Sequence, residues 1–249
     1  MILGYFRRAS INLAHSFCLI LSAILLLEPN IAYPKENGAI CNGLLNNRLD
    51  SPLQRNDTHA IDRFNAINRQ VRHFQKDIVF LGDSLTERWP ESVWNKYFYP
   101  LRSLNAGVDG DRTEHLLWRI DHGNLDGNPP KIVVLLIGTN DLGHGRSAEL
   151  TAEGIRTDAA RISARLPASK ILLLGLLPRS DRFGRDIYPV NRLIAACNGG
   201  MITYADVGRQ LQSLAPKSLF IDGVHLTDLG YEELSKYLRV ILLSLLGVQ

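Results

Sequence analysis

Ile78-Val79-Phe80-Leu81-Gly82-Asp83-Ser84-Leu85-Thr86 is the stretch whose reading decides the fold. Ile78 to Leu81 are apolar without a break, and the run stops at Gly82. A strand with one wet face alternates apolar and polar residues. A run that is apolar throughout suits a strand covered on both faces, as in a parallel sheet. Four further short runs are read in the same way: Leu101–Leu104 before Asn105 and Gly107, Ile132–Ile137 before Gly138, Ile171–Leu176 before Leu177 and Pro178, and Met201–Ala205 before Asp206. Between the runs, the residue pattern predicts helices over Val93–Tyr97, Thr113–Ile120, Ala148–Leu166 and Pro189–Cys197, with Pro189 in a first turn where its missing N–H is no loss. Asp228–Leu246 predicts the last helix, with Leu234, Leu238, Ile241 and Leu245 on one stripe and Gly247 to end it. Ahead of the first run, Ile61, Phe64, Ile67, Val71 and Phe74 recur at spacings of three and four. They mark an amphipathic helix over Thr58–Gln75 that Asp57 or Thr58 can cap. Strands alternating with helices define an α/β domain with a five-stranded parallel sheet. Right-handed crossovers then put helices on both of its faces. Functional groups in such a sheet gather beyond the carboxyl ends of the strands.

The chain of 249 residues is long enough for one domain with a proper core, and 45% hydrophobic against 21% charged residues is a globular balance. A net charge of +3, with its basic residues scattered, argues against a nucleic-acid partner. The N-terminus differs in kind. Arg7 and Arg8 precede the apolar stretch Phe17–Leu27, then come Glu28, Pro29, Asn30 and the small residue Ala32. This reads as an export signal over residues 1–32. The alternative is an uncleaved membrane anchor, although Asn12 and His15 interrupt the apolar stretch. Either way the domain is expected outside the cytoplasm, periplasmic or secreted. Residues 33–57 read as a polar extended leader and 58–249 as the domain. Cys18 lies within the signal; Cys41 and Cys197 remain, and an exported compartment permits a disulfide between them. No Cys or His spacing suggests a metal.

Chemistry is expected after the strands. Ser84 follows the first run, where its hydroxyl lies near a helix N-terminus that favours developing negative charge. A serine is a weak nucleophile and needs a base. The pattern is not G-x-S-x-G, because Thr86 stands where the second glycine belongs. Asp222-Gly223-Val224-His225 precedes the last helix and offers a carboxylate that can orient an imidazole toward the serine. His144 is the rival base, since it follows the loop after the third run. Two more loops could hold an oxyanion: Asn105–Gly110, through the Gly107 N–H, and Gly138-Thr139-Asn140-Asp141, through the Asn140 side-chain amide.

Together Gly82-Asp83-Ser84-Leu85, Gly107, Gly138-Thr139-Asn140-Asp141 and Asp222-x-x-His225 resemble, in order, the four blocks of the SGNH (GDSL) hydrolases. Within that family the chain resembles the catalytic α subunits of intracellular platelet-activating factor acetylhydrolase. That likeness rests on Leu104–Thr113, Leu117-Trp118-Arg119, Gly175-Leu176-Leu177-Pro178-Arg179, and His225-Leu226-Thr227 with Gly230-Tyr231. The resemblance implies a flavodoxin-like three-layer α/β/α sandwich and hydrolysis of acyl esters, with no cofactor and no metal. It makes Ser84 the nucleophile, Asp222 and His225 its triad partners, and Ser84, Gly107 and Asn140 the oxyanion donors. The chain departs from those acetylhydrolases at Arg112, where they usually carry Thr, and in its export signal. The expectation is therefore an exported esterase for small acyl groups, acetyl first, on a small-molecule or glycan ester such as carbohydrate or cell-wall material. The alternatives are a lipase or lysophospholipase, a platelet-activating-factor-type acetylhydrolase and, remotely, a non-catalytic glycan-binding relative. A membrane tether through the N-terminal segment and a homodimer are left open.

Overall fold

The computed structural model describes residues 51–212 and 219–248. The expected signal, most of the leader, and Cys18 and Cys41 lie outside the described residues. Residues 51–57, the described end of the leader, are without regular structure, and the Leu53 N–H donates to the Glu114 carbonyl. Helix α1 (Thr58–His73) follows, capped by the Asp57 carboxylate on the Ala60 N–H. Five strands form one parallel sheet: β1 (Ile78–Gly82), β2 (Ser103–Gly107), β3 (Ile132–Leu136), β4 (Lys170–Leu174) and β5 (Ile202–Ala205), in the order β2-β1-β3-β4-β5. The helices between and after them are α2 (Ser84–Glu87), α3 (Glu91–Tyr97), α4 (Thr113–Asp121), α5 (Thr139–Gly143), α6 (Ala148–Arg165), α7 (Ile187–Ala195), α8 (Val207–Gln212) and α9 (Asp228–Leu246).

Alternate residues of β1, β3 and β4 feed two separate cores. Val79, Leu81, Val133, Leu135, Ile171 and Leu173 pack against α1, α4, α6 and α7. Ile78, Phe80, Val134, Leu136, Leu172 and Leu174 pack against α3, α8 and α9. The sheet is thus covered on both faces, which is why its strands carry no polar alternation. Phe80 is the hub of the second core, with the rings of Trp94 and Phe98 at 5.0 and 4.8 Å. The fold is the expected three-layer α/β/α arrangement.

One boundary differs in a way that matters for function. The second run, expected at Leu101–Leu104, does not begin a strand. Tyr99–Leu101 form a 3-10 turn, and Arg102 adopts a left-handed backbone at φ 53°. Strand β2 starts only at Ser103 and extends through Asn105 to Gly107. Gly107 is paired beside Gly82 at the strand end rather than lying in the loop beyond it.

Candidate active site

The carboxyl ends of β1, β2 and β3 lie side by side, with Gly82 in register with both Gly107 and Leu136. Ser84 opens α2, two residues past Gly82. Its N-cap is Asp83, whose Oδ1 accepts the Leu85 N–H at 2.9 Å. Ser84 Oγ is 3.0 Å from His225 Nε2, and His225 Nδ1 is 2.8 Å from Asp222 Oδ2. The fold brings together a serine and an imidazole that are 141 residues apart in sequence. Residues 219–227, just ahead of α9, form a tight loop that carries His225. Phe220 and Leu226 form a bridge, Ile221 N–H donates to the His225 carbonyl, and Thr227 N–H donates to the Leu219 carbonyl. Gly223 turns it at φ +81°, a conformation L side chains rarely adopt.

Asp222 Oδ1 accepts two backbone amides, from His225 at 2.8 Å and Val224 at 3.0 Å. These donors, the His225 amide foremost, hold the carboxyl well below the ordinary aspartate range, against a smaller opposing effect of burial. Its side chain is 54% exposed, so the charge is stabilised by donors and water together. Asp83 is the opposite case. It is buried, its Oδ2 has no hydrogen-bond partner, and burial pushes its carboxyl up to about 7 against the pull of the Leu85 amide. Asp111, Asp141 and Asp109 add to the rise.

The Asn140 side chain lies in α5, and its Nδ2 donates to the Asp111 carbonyl at 3.0 Å. Buried Asp141 fixes this short helix by accepting the Thr113 N–H (3.1 Å), the Thr113 hydroxyl (2.7 Å) and Arg146 Nη1 (3.1 Å). Asp111 is held in turn by buried Arg119, whose Nε donates to it at 2.7 Å while Nη1 and Nη2 donate to the Ala106 and Gly82 carbonyls. One buried guanidinium thus ties the ends of β1 and β2 to the loop behind Asn140.

The Gly107 amide is not open to a substrate. It donates to Asn105 Oδ1 at 3.0 Å, within the end of β2. A side chain at 107 would collide with the Glu87 backbone nitrogen and lie 2.8 Å from the Thr86 carbonyl carbon. Gly107 therefore serves close approach of β2 to α2. Between residues 107 and 112, the amides of Val108, Asp109, Asp111 and Arg112 also have acceptors. Only that of Gly110 has none among the described residues. His144, the rival base, is exposed and turned away, with Nδ1 on the Asn140 carbonyl at 2.8 Å. Among the described residues no cluster of three His, Cys, Asp or Glu is arranged to hold a metal.

The sequence matches the model of the GDSL-like lipase/acylhydrolase family over residues 80–233. It is 32% identical over 215 residues to platelet-activating factor acetylhydrolase IB subunit alpha1 of Homo sapiens, covering 81% of this chain and 92% of that protein. It is 42% identical over 139 residues to the subunit beta homolog of Drosophila melanogaster, covering 54% and 60%. The chain belongs to the GDSL family. Solved structures share its fold. A GDSL-like lipase from Bacteroides thetaiotaomicron superposes with a TM-score of 0.62 at 22% identity, over 74% of this chain and 97% of that one. A carbohydrate esterase family 3 protein from Talaromyces cellulolyticus gives 0.58 at 20%, over 70% and 100%.

As a GDSL hydrolase the protein acts on carboxylic esters. Three parts of its site were not reached by sequence reasoning: the buried carboxyl of Asp83, the Arg119–Asp111 pair, and the free Gly110 amide. Asp83 and Gly110 stand inside segments that carry the family likeness, but nothing in a sequence says which oxygen or amide folding leaves without a partner. Cys197 is buried and disulfide-bonded, and the other two cysteines lie outside the described residues. Among the described residues no helix is long and apolar enough to cross a membrane.

Proposed function

We propose that this GDSL hydrolase is an exported serine esterase that removes small acyl groups, acetyl first, through a Ser84–His225–Asp222 triad. The observation that carries the reading is the continuous hydrogen-bonded chain from Ser84 Oγ to His225 Nε2 and from His225 Nδ1 to Asp222 Oδ2, at 3.0 and 2.8 Å. His225 takes the Ser84 proton as Oγ attacks the ester carbonyl. Asp222, ionised, holds the ring in the tautomer that accepts at Nε2 and stabilises the imidazolium. The oxyanion is held by the Ser84 N–H, by the Asn140 Nδ2 hydrogen not spent on Asp111, and by the Gly110 N–H in place of Gly107. The imidazolium gives its proton to the leaving alcohol. An acyl-enzyme remains, and water activated by His225 clears it.

Acetyl is favoured because the curated relatives are named acetylhydrolases. Export is favoured by Arg7 and Arg8 ahead of Phe17–Leu27 and by a disulfide at Cys197, a bond that persists in oxidising compartments. An exported enzyme meets carbohydrate and cell-wall esters, and the carbohydrate esterase of the same fold is consistent with that substrate class. The second reading, a platelet-activating-factor-type phospholipid deacetylase, rests on the 32% identity to the human subunit. Ser84→Ala should reduce hydrolysis of p-nitrophenyl acetate by at least about 10⁴-fold. Wild-type activity in that variant would refute the triad. Release of acetate from acetylated sugars, compared with acetyl phospholipid, decides between the two substrates.

A further inference from the structure

We propose that Arg179 and its neighbour Ser180 form a positioning strap that sets the Asn140 donor against the His225 base. This rests on the roles proposed above for Asn140 and His225. The strap lies in the connection after β4. The Arg179 side chain is 8% exposed, and each of its three guanidinium nitrogens donates a hydrogen bond. Nη1 donates to the Thr139 carbonyl at 2.6 Å and to the Thr139 hydroxyl at 3.0 Å. Nε and Nη2 form a two-point pair with the Asp181 carboxylate, which also accepts the Phe183 N–H at 3.1 Å. Thr139 is the first residue of α5, and Asn140 is the next. One residue further along the strap, the Ser180 N–H donates to the Gly223 carbonyl at 2.9 Å. Gly223 is the residue after Asp222, and a side chain there would strike the Ser180 hydroxyl.

Consecutive residues of one loop therefore grip both sides of the site, the oxyanion side through a side chain and the base side through the backbone. Both sides need it. Helix α5 has five residues, too few to hold its own orientation by helical hydrogen bonding alone. The Asp222–His225 loop is partly exposed and has little core to fix it. An arginine suits the position because its planar fork makes directed contacts at two ends, which a lysine cannot reproduce.

A double-variant cycle tests the strap. Arg179→Gln should lower kcat on p-nitrophenyl acetate by about 10- to 100-fold, the cost of misplacing a catalytic group by about 1 Å, with KM changed less than about threefold. Asn140→Ala alone should cost about 100-fold or more. In the Asn140→Ala background, Arg179→Gln should then cost less than about threefold, because the donor it positions is gone. Asp181→Asn, which keeps Arg179 in place for folding, should show the same kcat-only loss at about three- to tenfold. Circular dichroism and melting confirm that each variant is folded. Additive losses, a loss confined to KM, or unchanged kcat in both Arg179→Gln and Asp181→Asn overturns the strap. If Asn140→Ala keeps wild-type activity, the oxyanion assignment fails instead, and the strap with it. If Arg179→Gln does not fold, Asp181→Asn in the wild-type and Asn140→Ala backgrounds decides in its place, by the same criteria.

Discussion

Ser84 stands in a turn whose flanking residues Asp83, Leu85 and Thr86 are all buried, whereas His225 stands in a loop whose neighbours Ile221 and Asp222 are exposed. The first region is fixed by packing. Gly107 lets β2 press against α2, and Arg119 binds the carbonyls at the ends of β1 and β2. The second is fixed by hydrogen bonds of its own: the Phe220–Leu226 bridge, the amides on Asp222, and the tie from Ser180. Each contains an aspartate, and the two aspartates show what the difference means. Asp83 has one amide donor and is shut off from solvent, so its carboxyl rises to about 7. Asp222 has two amides, an imidazole and solvent, so its carboxyl is held low. Charge at this site follows burial first and the number of donors second, not nearness to the nucleophile.

The largest expected effect tests whether the exposed region carries the chemistry that the buried one cannot. His225→Ala should lower kcat on p-nitrophenyl acetate by about 10⁴-fold or more, and adding Ser84→Ala should cost little further, since the two act as a unit. Asp222→Ala should cost less, toward the low end of about 10²–10⁴-fold, because its exposed position lets water solvate the imidazolium. Equal losses for His225→Ala and Asp222→Ala would mean that the exposed carboxylate does as much as the base itself.

The difference between the two regions also explains what the sequence made legible. Runs such as Ile78–Leu81 and Ile132–Ile137 announce strands because both faces of the sheet are covered. Strand β2 lies at a sheet edge, where polar Ser103 and Asn105 are tolerated, so its polar half reads as a loop and its start slips to Leu101. That slip is what moves Gly107 from the loop into the strand and its amide from the substrate to Asn105. Helices α2, α5 and α8 have four to six residues, too short to show a period. Ser84, Asp222 and His225 are legible because each stands in a short Gly-containing segment next to a regular element. Arg179 is not, because its partner Thr139 is 40 residues away and only the fold joins them.

A middle-sized effect probes the buried region. Asp83 titrates at about 7 in the fold against 3.8 as a free side chain. Between those values the folded protein binds the extra proton, so stability is full below about pH 4 and is lost as pH rises through about 7. Asp83→Asn keeps an Oδ1 acceptor for the Leu85 amide and cannot ionise. Its Tm should exceed that of the wild type at pH about 8, by the equivalent of up to about 4 kcal/mol, and the gap should narrow as pH falls and close toward pH about 4. Parallel melting curves across that range would show that Asp83 does not titrate there.

The smallest effect asks whether the exposed region depends on the helix that follows it. Thr227 caps α9, with its hydroxyl accepting the Gly230 N–H at 3.1 Å, two residues past His225. Thr227→Ala should cost about 1 kcal/mol of stability, a fall of about 2–4 °C in Tm. If the loop is held by its own hydrogen bonds and by Ser180, kcat should stay within about twofold of wild type, because the Ile221–His225 and Leu219–Thr227 backbone bonds survive the substitution. A tenfold fall in kcat with an unchanged Tm would reverse that order of dependence. The cap, and through it the core under α9, would then be what aims His225, and the base would be as firmly anchored in packing as the nucleophile it faces.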